Sequence, residues 1–244
     1  MEKTDMIYGT RAVMEAISAG KEIERVMIQS GLNNDLVKEL INTAKNHRVP
    51  IAFVPPEKLK RMSTKNHQGV LCLLSSVSYT PLDNLIDKIF SEGREPFLIL
   101  LDRVTDVRNF GAIARTAECA GVDGIVVPEK GNAPISSDAM KTSAGALNHL
   151  AVSRERDLKK TMQLLRESGV RVIACTEKAE KDIYEVSLTG PIALILGSEE
   201  DGISDTLLRE ADELARIPLK GKIGSLNVSV AAGVAIYEAL RQKR

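Results

Sequence analysis

From Phe97 onward, short apolar runs alternate with amphipathic stretches. The runs have the length of strands and read "FLILLD", "GIVVP", "HLAVS", "RVIACT" and "IALILG". This rhythm is typical of a parallel sheet covered by helices on both faces. A further short strand is predicted at "RIPL", where Pro218 favours an edge or irregular position. The pattern therefore predicts an α/β domain in this part of the chain.

The first third of the chain predicts a smaller α/β unit. Helices are expected at "TRAVMEAISAG", which ends on Gly20, and at "NNDLVKELINTAKNH", with Asn33 or Asn34 as N-cap. Strands are expected at "RVMIQ", "IAFV" and "GVLCLLSSV". The expected organisation is a first domain over 1–76, a linker and helix over 77–95, and a second domain over 96–244.

Composition excludes several classes of protein. Hydrophobic residues make up 43% and charged residues 27%, as in globular domains, and no apolar run reaches the roughly 20 residues of a membrane helix. The polar start "MEKTDMIYGT" does not resemble a signal peptide, so a cytoplasmic protein is expected. The three cysteines lie singly, which favours free thiols over a metal site or disulfides. With 3% aromatic residues and no Trp, a base-stacking platform is not expected.

The formal net charge is zero, but the charges are unevenly distributed. Residues 1–76 carry 11 Lys and Arg against 8 Asp and Glu, whereas the remainder carries 22 against 25. Within the basic part, one cluster comprises Lys58, Lys60, Arg61 and Lys65. A polyanion would meet this cluster first, although a solvated charged face is an equal alternative.

The segments that follow the strands carry the candidate chemistry, because α/β sheets bind ligands at the carboxyl ends of their strands. No GxGxxG, GxxxxGK[ST] or GxSxG motif occurs. After "FLILLD", Asn109 is predicted to cap a helix and Gly111 to keep its first turn open. Arg115, one turn later, points either over the strand ends or into solvent.

Two further segments have glycines at positions where a ligand or another part of the backbone is expected to approach closely. After "IALILG", the turn "SEEDGIS" has Gly197 at the strand end, followed by Glu199. Consecutive carboxylates rarely converge on one ion, so Glu200 and Asp201 indicate a surface turn and no metal is expected. In "GSLNVSVAAG", Ser225 or Asn227 is predicted to cap the last helix. Gly233, costing about 1 kcal/mol against Ala, predicts tight packing there against another backbone.

Together these three segments resemble the motifs of the SpoU family of RNA ribose 2′-O-methyltransferases, within the SPOUT superfamily. The segments are "NFGAIARTAECAG", "LILGSEEDGIS" and "IPLKGKIGSLNVSVAAGVAIYEALRQ". The earlier "YGTRAVMEAI" and "HQGVLCLL" resemble the ribosomal-protein-like substrate-binding domain of that family. The resemblance implies a C-terminal trefoil knot, an exception to the rule that chains do not thread their loops.

The resemblance also implies a reaction and its residues. S-adenosylmethionine would give its methyl group to a ribose 2′-OH. The cofactor would lie in a pocket that includes Gly197, Ile217, Leu226 and, as a weaker candidate, Thr176. The implied catalytic set is Asn109, Arg115, Glu199, Ser225 and Asn227. A guanidinium scarcely deprotonates, so Arg115 is expected to stabilise the forming alkoxide and a phosphate rather than act as a base.

The implied partners are RNA and a second copy of the chain, without membrane or metal. The resemblance is greatest to RlmB-like members, which methylate a guanosine ribose in 23S ribosomal RNA. A transfer-RNA methyltransferase of the same family is an alternative, disfavoured by the leading 76 residues and the end at "RQKR". Two further functions stay open, those of a non-catalytic RNA-binding protein and of a nucleotide hydrolase.

Overall fold

The computed structural model describes residues 6–244, which form two compact units. The first runs to Ser78 and takes in Pro134–Ser137, and the second comprises Tyr79–Ala133 and Asp138–Arg244. Within residues 6–244, no helix combines the length and the apolar character needed to cross a membrane.

The first unit is a four-stranded mixed sheet with three helices. Its sheet order is β1-β4-β2-β3, with β2 and β3 parallel and the other pairs antiparallel. The elements are β1 (Met6–Tyr8), α1 (Thr10–Ser18), β2 (Ile23–Gln29), α2 (Asp35–Asn46), β3 (Ile51–Val54), α3 (Pro56–Met62) and β4 (Val70–Leu74).

Strand alternation divides the core of this unit between the two faces of its sheet. Val26 and Ile28 of β2 pack with the buried sides of α1 and α2, whereas Met27 packs with Leu59 of α3. Asn34 caps α2 by accepting a hydrogen bond from Val37 N at 2.9 Å, which confirms the predicted cap. The sequence pattern missed β1 and α3. The strand β1 has only three residues, and the helix α3 has seven with one buried position.

The second unit is an entirely parallel six-stranded sheet, as the alternation of apolar runs predicts. Its order is β10-β8-β9-β5-β6-β7, so β9 lies between two strands that precede it in the chain. The elements are α4 (Leu82–Ser91), β5 (Phe97–Leu101), α5 (Val107–Cys119), β6 (Gly124–Pro128), α6 (Ser137–Thr142), β7 (Ala151–Glu155), α7 (Leu158–Glu167), β8 (Arg171–Cys175), β9 (Ile192–Leu196), α8 (Asp205–Glu210), β10 (Glu213–Ala215) and α9 (Val228–Gln242).

Helices cover this sheet on both sides. Leu98 and Leu100 of β5 pack in one core with α4, α7 and α8. The alternate position Ile99 is also fully buried, and α5 and α9, which pack against each other, bury Phe110 and Ile236. The helix expected between the domains, α4, contributes Leu85 and its other buried residues to the first of these cores.

Two local predictions for the C-terminal region are wrong. The last strand lies at Glu213–Ala215 rather than at "RIPL", because Pro218 has no N–H with which to extend a ladder beyond Arg216. A Cβ at Gly233 would have Thr116 Cγ2 as its nearest neighbour outside the helix backbone, at an ordinary van der Waals distance of 3.9 Å. Within the described chain, the small residue therefore does not mark a close approach of another backbone.

Candidate active site

A cavity of about 350 Å³ lies beyond the carboxyl ends of β8 and β9, next to the loop 217–226. All four predicted cofactor residues line it, together with two of the predicted catalytic residues. These six are Thr176, Gly197, Ile217, Leu226, Glu199 and Ser225. The structure thus gathers residues from three distant segments at the edge of the sheet where α/β proteins bind ligands.

The chemistry of this cavity suits a small cationic ligand with an apolar part. Its described lining includes four carboxylates and no Lys or Arg, beside apolar side chains such as Leu219 and Val228. The backbone groups of residues 217–226 make no hydrogen bond to the rest of the described chain and are free for a ligand. For S-adenosylmethionine, the apolar walls match the adenine and the open backbone groups match the ribose hydroxyls. The carboxylates match the positive sulfonium.

A directed chain of hydrogen bonds joins the three motif segments at the rim of the cavity. Ser229 donates from N at 2.9 Å and from Oγ at 2.6 Å to Asn227 Oδ1. Asn227 Nδ2 donates to Asn109 Oδ1 at 3.0 Å, and Asn109 Nδ2 donates to Glu199 Oε1 at 2.7 Å. Each amide thus has a fixed orientation, and the chain ends on a carboxylate.

The start of α5 differs from the prediction in its cap. Asp106, not Asn109, is the N-cap, because its Oδ1 accepts from Arg108 N and Asn109 N at 2.7 and 2.8 Å. Asn109 lies in the first turn, where its side chain is free to bind Asn227 and Glu199. Gly111 is required by close packing, since a Cβ there would lie 2.0 Å from Thr142 Oγ1.

The turn after β9 folds back onto Gly197. A Cβ on Gly197 would lie 2.0 Å from Gly202 C and 2.1 Å from Ile203 N, which no side chain tolerates. Ser198 and Gly202 exchange two backbone hydrogen bonds of 3.1 Å and so close the turn. The backbone of Gly197 is therefore approached by Gly202 and Ile203 of the same turn. This turn presents Glu199 to the cavity.

Arg103 is a site residue that the sequence analysis missed. It has a left-handed φ of 61°, and its guanidinium contacts Asp102, Asp201 and Gly202 O at 3.0 to 3.3 Å. It lines a second cavity of about 530 Å³, which contains Asn109 and shares residues 198–201 with the first. Only the tertiary structure reveals the backbone conformation and these partners.

Arg115 lies apart from the gathered residues. Its side chain is exposed on α5, lines neither cavity and has no ion-pair partner among the described residues. It is free to accept a phosphate or another external anion.

The predicted RNA-binding cations belong to the first unit. Lys58, Lys60 and Arg61 lie on α3 around the buried Leu59 and are exposed. Lys65 follows α3 and places its Nζ 5.2 Å from the ring centre of Tyr8. α3 thus presents three cations to solvent.

The thiol in the cavity is not poised for reaction. Burial raises the pKa of Cys175 to about 12, so the thiol is neutral at physiological pH. Within residues 6–244, no group of three or more His, Cys, Asp or Glu side chains is placed to hold a metal ion.

Comparison with known proteins gives two family matches that together span most of the chain. Residues 96–237 match the SpoU rRNA methylase family. Residues 6–80 match the RNA 2′-O ribose methyltransferase substrate-binding family.

Individual relatives agree with these matches. An uncharacterised tRNA/rRNA methyltransferase of Synechocystis is 37% identical over 99% of this chain, which spans 64% of that relative's length. A putative TrmH family tRNA/rRNA methyltransferase of Bacillus subtilis is 31% identical, over 99% of this chain and 97% of its own. The crystal structure of an AdoMet-bound rRNA methyltransferase from Sinorhizobium meliloti has a TM-score of 0.60 at 26% identity, covering 97% of this chain and 86% of that one. By its family match and its relatives, the chain belongs to the SpoU rRNA methylase family.

Proposed function

We propose that this protein transfers a methyl group from S-adenosylmethionine to the ribose 2′-OH of a guanosine in 23S ribosomal RNA. Membership of the SpoU family makes it an S-adenosylmethionine-dependent RNA methyltransferase. The observation that carries the proposal for its site is the hydrogen-bond chain from Ser229 through Asn227 and Asn109 to Glu199. That the C-terminal segment threads a loop to form a knot stays a prediction.

When bound, the cofactor supplies a methyl group already activated on a sulfonium. The chain's own task is to align the ribose oxygen with that methyl group and to support the charge that develops on the oxygen. Asn109 lines the second cavity and Glu199 lines both, which supports the proposal that this pair holds the ribose hydroxyl. Ser225 lines the cofactor side. Arg115 lines neither cavity, so its part in this proposal is to clamp a phosphate of the bound RNA from the exposed side of α5.

RNA is held chiefly by the first unit in this proposal. The match of residues 6–80 to a substrate-binding family supports this role, as do the exposed cations Lys58, Lys60 and Arg61 on α3, with Lys65 beyond it. The excess of acidic residues in the second unit makes it a poor binder of a polyanion on its own.

The choice of guanosine in 23S ribosomal RNA rests on the sequence resemblance to RlmB-like members. The relatives from Synechocystis and Bacillus bear names that cover both tRNA and rRNA, so transfer RNA is the second candidate. Mapping of ribose methylation in both RNA pools of a deletion strain tests the choice. Loss of one 23S guanosine methylation supports it, whereas loss of a tRNA methylation refutes it.

The chemistry is tested with purified protein, methyl-labelled S-adenosylmethionine and deproteinised RNA. Asn109→Ala removes the middle of the hydrogen-bond chain and is expected to lower kcat by about 10²–10³-fold. Asn84→Ala, at an exposed position of α4, is the matched control. Equal turnover of the two variants would contradict the proposed site, and no transfer by the wild type would contradict the reaction.

We also propose that the protein is a homodimer joined through α9. Val230 and Tyr237, two helical turns apart on one face of α9, are 52% and 50% exposed. Exposed apolar side chains in a row indicate an interaction surface. Light scattering at micromolar concentration should give twice the mass of one chain, and Tyr237→Glu should halve it. A wild-type monomer would refute this assembly.

A further inference from the structure

We propose that Arg103 is a positioning residue that holds the 198–204 turn, and with it Glu199, in the geometry that methyl transfer needs. The inference rests on the proposed function and concerns a residue outside the predicted catalytic set. Its basis is an unusual backbone conformation combined with a fork of hydrogen bonds across the site.

Arg103 adopts a conformation that a non-glycine residue rarely takes. Its φ is 61°, two residues after the end of β5, where left-handed geometry costs free energy because Cβ crowds the backbone. Such conformations persist only where the surroundings compensate for them, and they cluster at functional sites. The compensation here must come from the side chain and its partners.

The guanidinium uses four of its five N–H donors within the site. Nε and Nη2 bind the two oxygens of Asp102 at 3.0 and 3.2 Å, which is the bidentate geometry typical of Arg. Nη2 also donates to Gly202 O at 3.2 Å, and Nη1 donates to Asp201 Oδ2 at 3.3 Å. The bond to Asp102 is also the main reason that the pKa of Arg103 is raised above its ordinary value, so the charge persists.

Asp102 adds a further attachment to the same turn. It is 5% exposed, and its Oδ2 accepts from Ser204 N at 2.8 Å. The Asp102–Arg103 pair is therefore hydrogen-bonded to the turn at Asp201, Gly202 and Ser204. That turn forms one wall of both cavities and carries Glu199, whose carboxylate ends the hydrogen-bond chain from α9.

A surface ion pair does not explain this arrangement. Arg156 forms such a pair: its side chain is 67% exposed and meets one carboxylate, Glu129, at 3.2 Å. Arg103 instead holds a nearly buried carboxylate and a backbone carbonyl at once. A lysine keeps the charge and the left-handed backbone, but its ammonium has no planar fork to bind Asp102 in a bidentate manner while also reaching the turn.

The test compares Arg103→Lys with the matched control Arg156→Lys in the full-length protein. Calorimetry measures the binding of S-adenosylhomocysteine, methyl transfer gives kcat and the KM for RNA, and hydrogen exchange reports on residues 198–204. Arg103→Lys should weaken S-adenosylhomocysteine binding by about tenfold and lower kcat by at least as much. Exchange in the turn should accelerate, while the KM for RNA and all values of the control stay unchanged.

A second variant keeps the proposal falsifiable if Arg103→Lys does not fold. Asp201→Asn removes the exposed arm of the fork and should accelerate exchange in residues 198–204. Because Asp201 also lines the cofactor cavity, exchange rather than affinity is the deciding measurement for this variant. When Arg103→Lys folds, adding Asp201→Asn to it should change the exchange of the turn little further, because the partner of Asp201 is already altered. Wild-type affinity and wild-type exchange in soluble Arg103→Lys would overturn the positioning role. Where Arg103→Lys does not fold, wild-type exchange in Asp201→Asn would overturn it.

The outcomes for the wild type separate this inference from the proposed function. If the wild type neither binds S-adenosylhomocysteine nor methylates RNA, the proposed function fails, and the positioning role fails with it. If the wild type does both and the Arg103 variant equals it in affinity and kcat, only the positioning role fails.

Discussion

The close fold-back of the 198–204 turn predicts that Gly197→Ala destabilises the second unit. The added Cβ would lie 2.0 Å from Gly202 C, whereas ordinary contact begins at 3.4 Å, so the turn must retreat by roughly 1.4 Å. A shift of that size breaks the two 3.1 Å hydrogen bonds between Ser198 and Gly202 and the bond from Arg103 to Gly202 O.

The expected cost follows from these lost bonds. At about 1 kcal/mol each, three bonds and the residual strain amount to roughly 2–4 kcal/mol. For a unit of this size, that lowers Tm by about 5–15 °C. S-adenosylhomocysteine binding should also fall, because Gly197 lines the cavity and Glu199 moves with the turn.

Gly233→Ala is the matched control. Its Cβ would lie 3.9 Å from Thr116 Cγ2, so the site has room for it. Alanine in a helix interior is favoured over glycine by roughly 1 kcal/mol, and Tm should rise by about 2–4 °C. Calorimetric melting and cofactor titration of both variants decide the matter. Gly233 lies between Val230 and Tyr237 on the proposed dimer face of α9, so light scattering of its variant is measured as well. A Gly197→Ala protein that melts within about 2 °C of the wild type, or a Gly233→Ala protein of wild-type mass that melts clearly below it, would refute the steric reasoning.

Three further predictions concern other parts of the chain. Arg115→Ala should lower methyl transfer by about 10²-fold, because a phosphate clamp on α5 would align the ribose, and should leave cofactor affinity unchanged, because the side chain lies outside the cofactor cavity; normal turnover would make it a surface residue. Replacing the three cations of α3 with Ala should flatten the slope of log RNA affinity against log salt by about two to three units, without altering cofactor binding, and an unchanged slope would place RNA elsewhere. In the native protein at pH 8, maleimide should label Cys119 alone, because burial raises the pKa of Cys72 and Cys175 to about 12. Unfolded thiols ionise near pH 9.0, so these two contribute stability that is constant below pH 9 and declines as pH rises toward 12; mass mapping and alkaline melting curves check both statements.

Elements whose signal is local in the sequence were predictable. Apolar runs of strand length identified five of the six parallel strands, and Asn34 was recognised as one of two candidate caps because its side chain precedes an amphipathic stretch. The family resemblance, carried by long motifs, is confirmed by the match over residues 96–237.

Features that depend on tertiary partners were not predictable. The segment "TDVRN" offers both Asp106 and Asn109 as caps, and only the position of Glu199, 90 residues away, shows why Asn109 is needed elsewhere. The left-handed backbone of Arg103 has no sequence signature, since its compensation comes from Asp201 and Gly202. Gly197 and Gly233 look alike in the sequence, yet only the first has a neighbour that excludes a side chain.

The long reach of the hydrogen-bond chain has a consequence for how the protein comes into being. Asn109 meets Glu199 across 90 residues and Asn227 across 118, and β9 pairs with β5 and β8, which both precede it in the chain. Contacts of such sequence separation slow folding, because the entropy of loop closure is lost before the contacts can stabilise the chain. During synthesis, the α5 segment therefore emerges long before its partners, and a nascent chain cannot present a complete site until the start of α9 has left the ribosome.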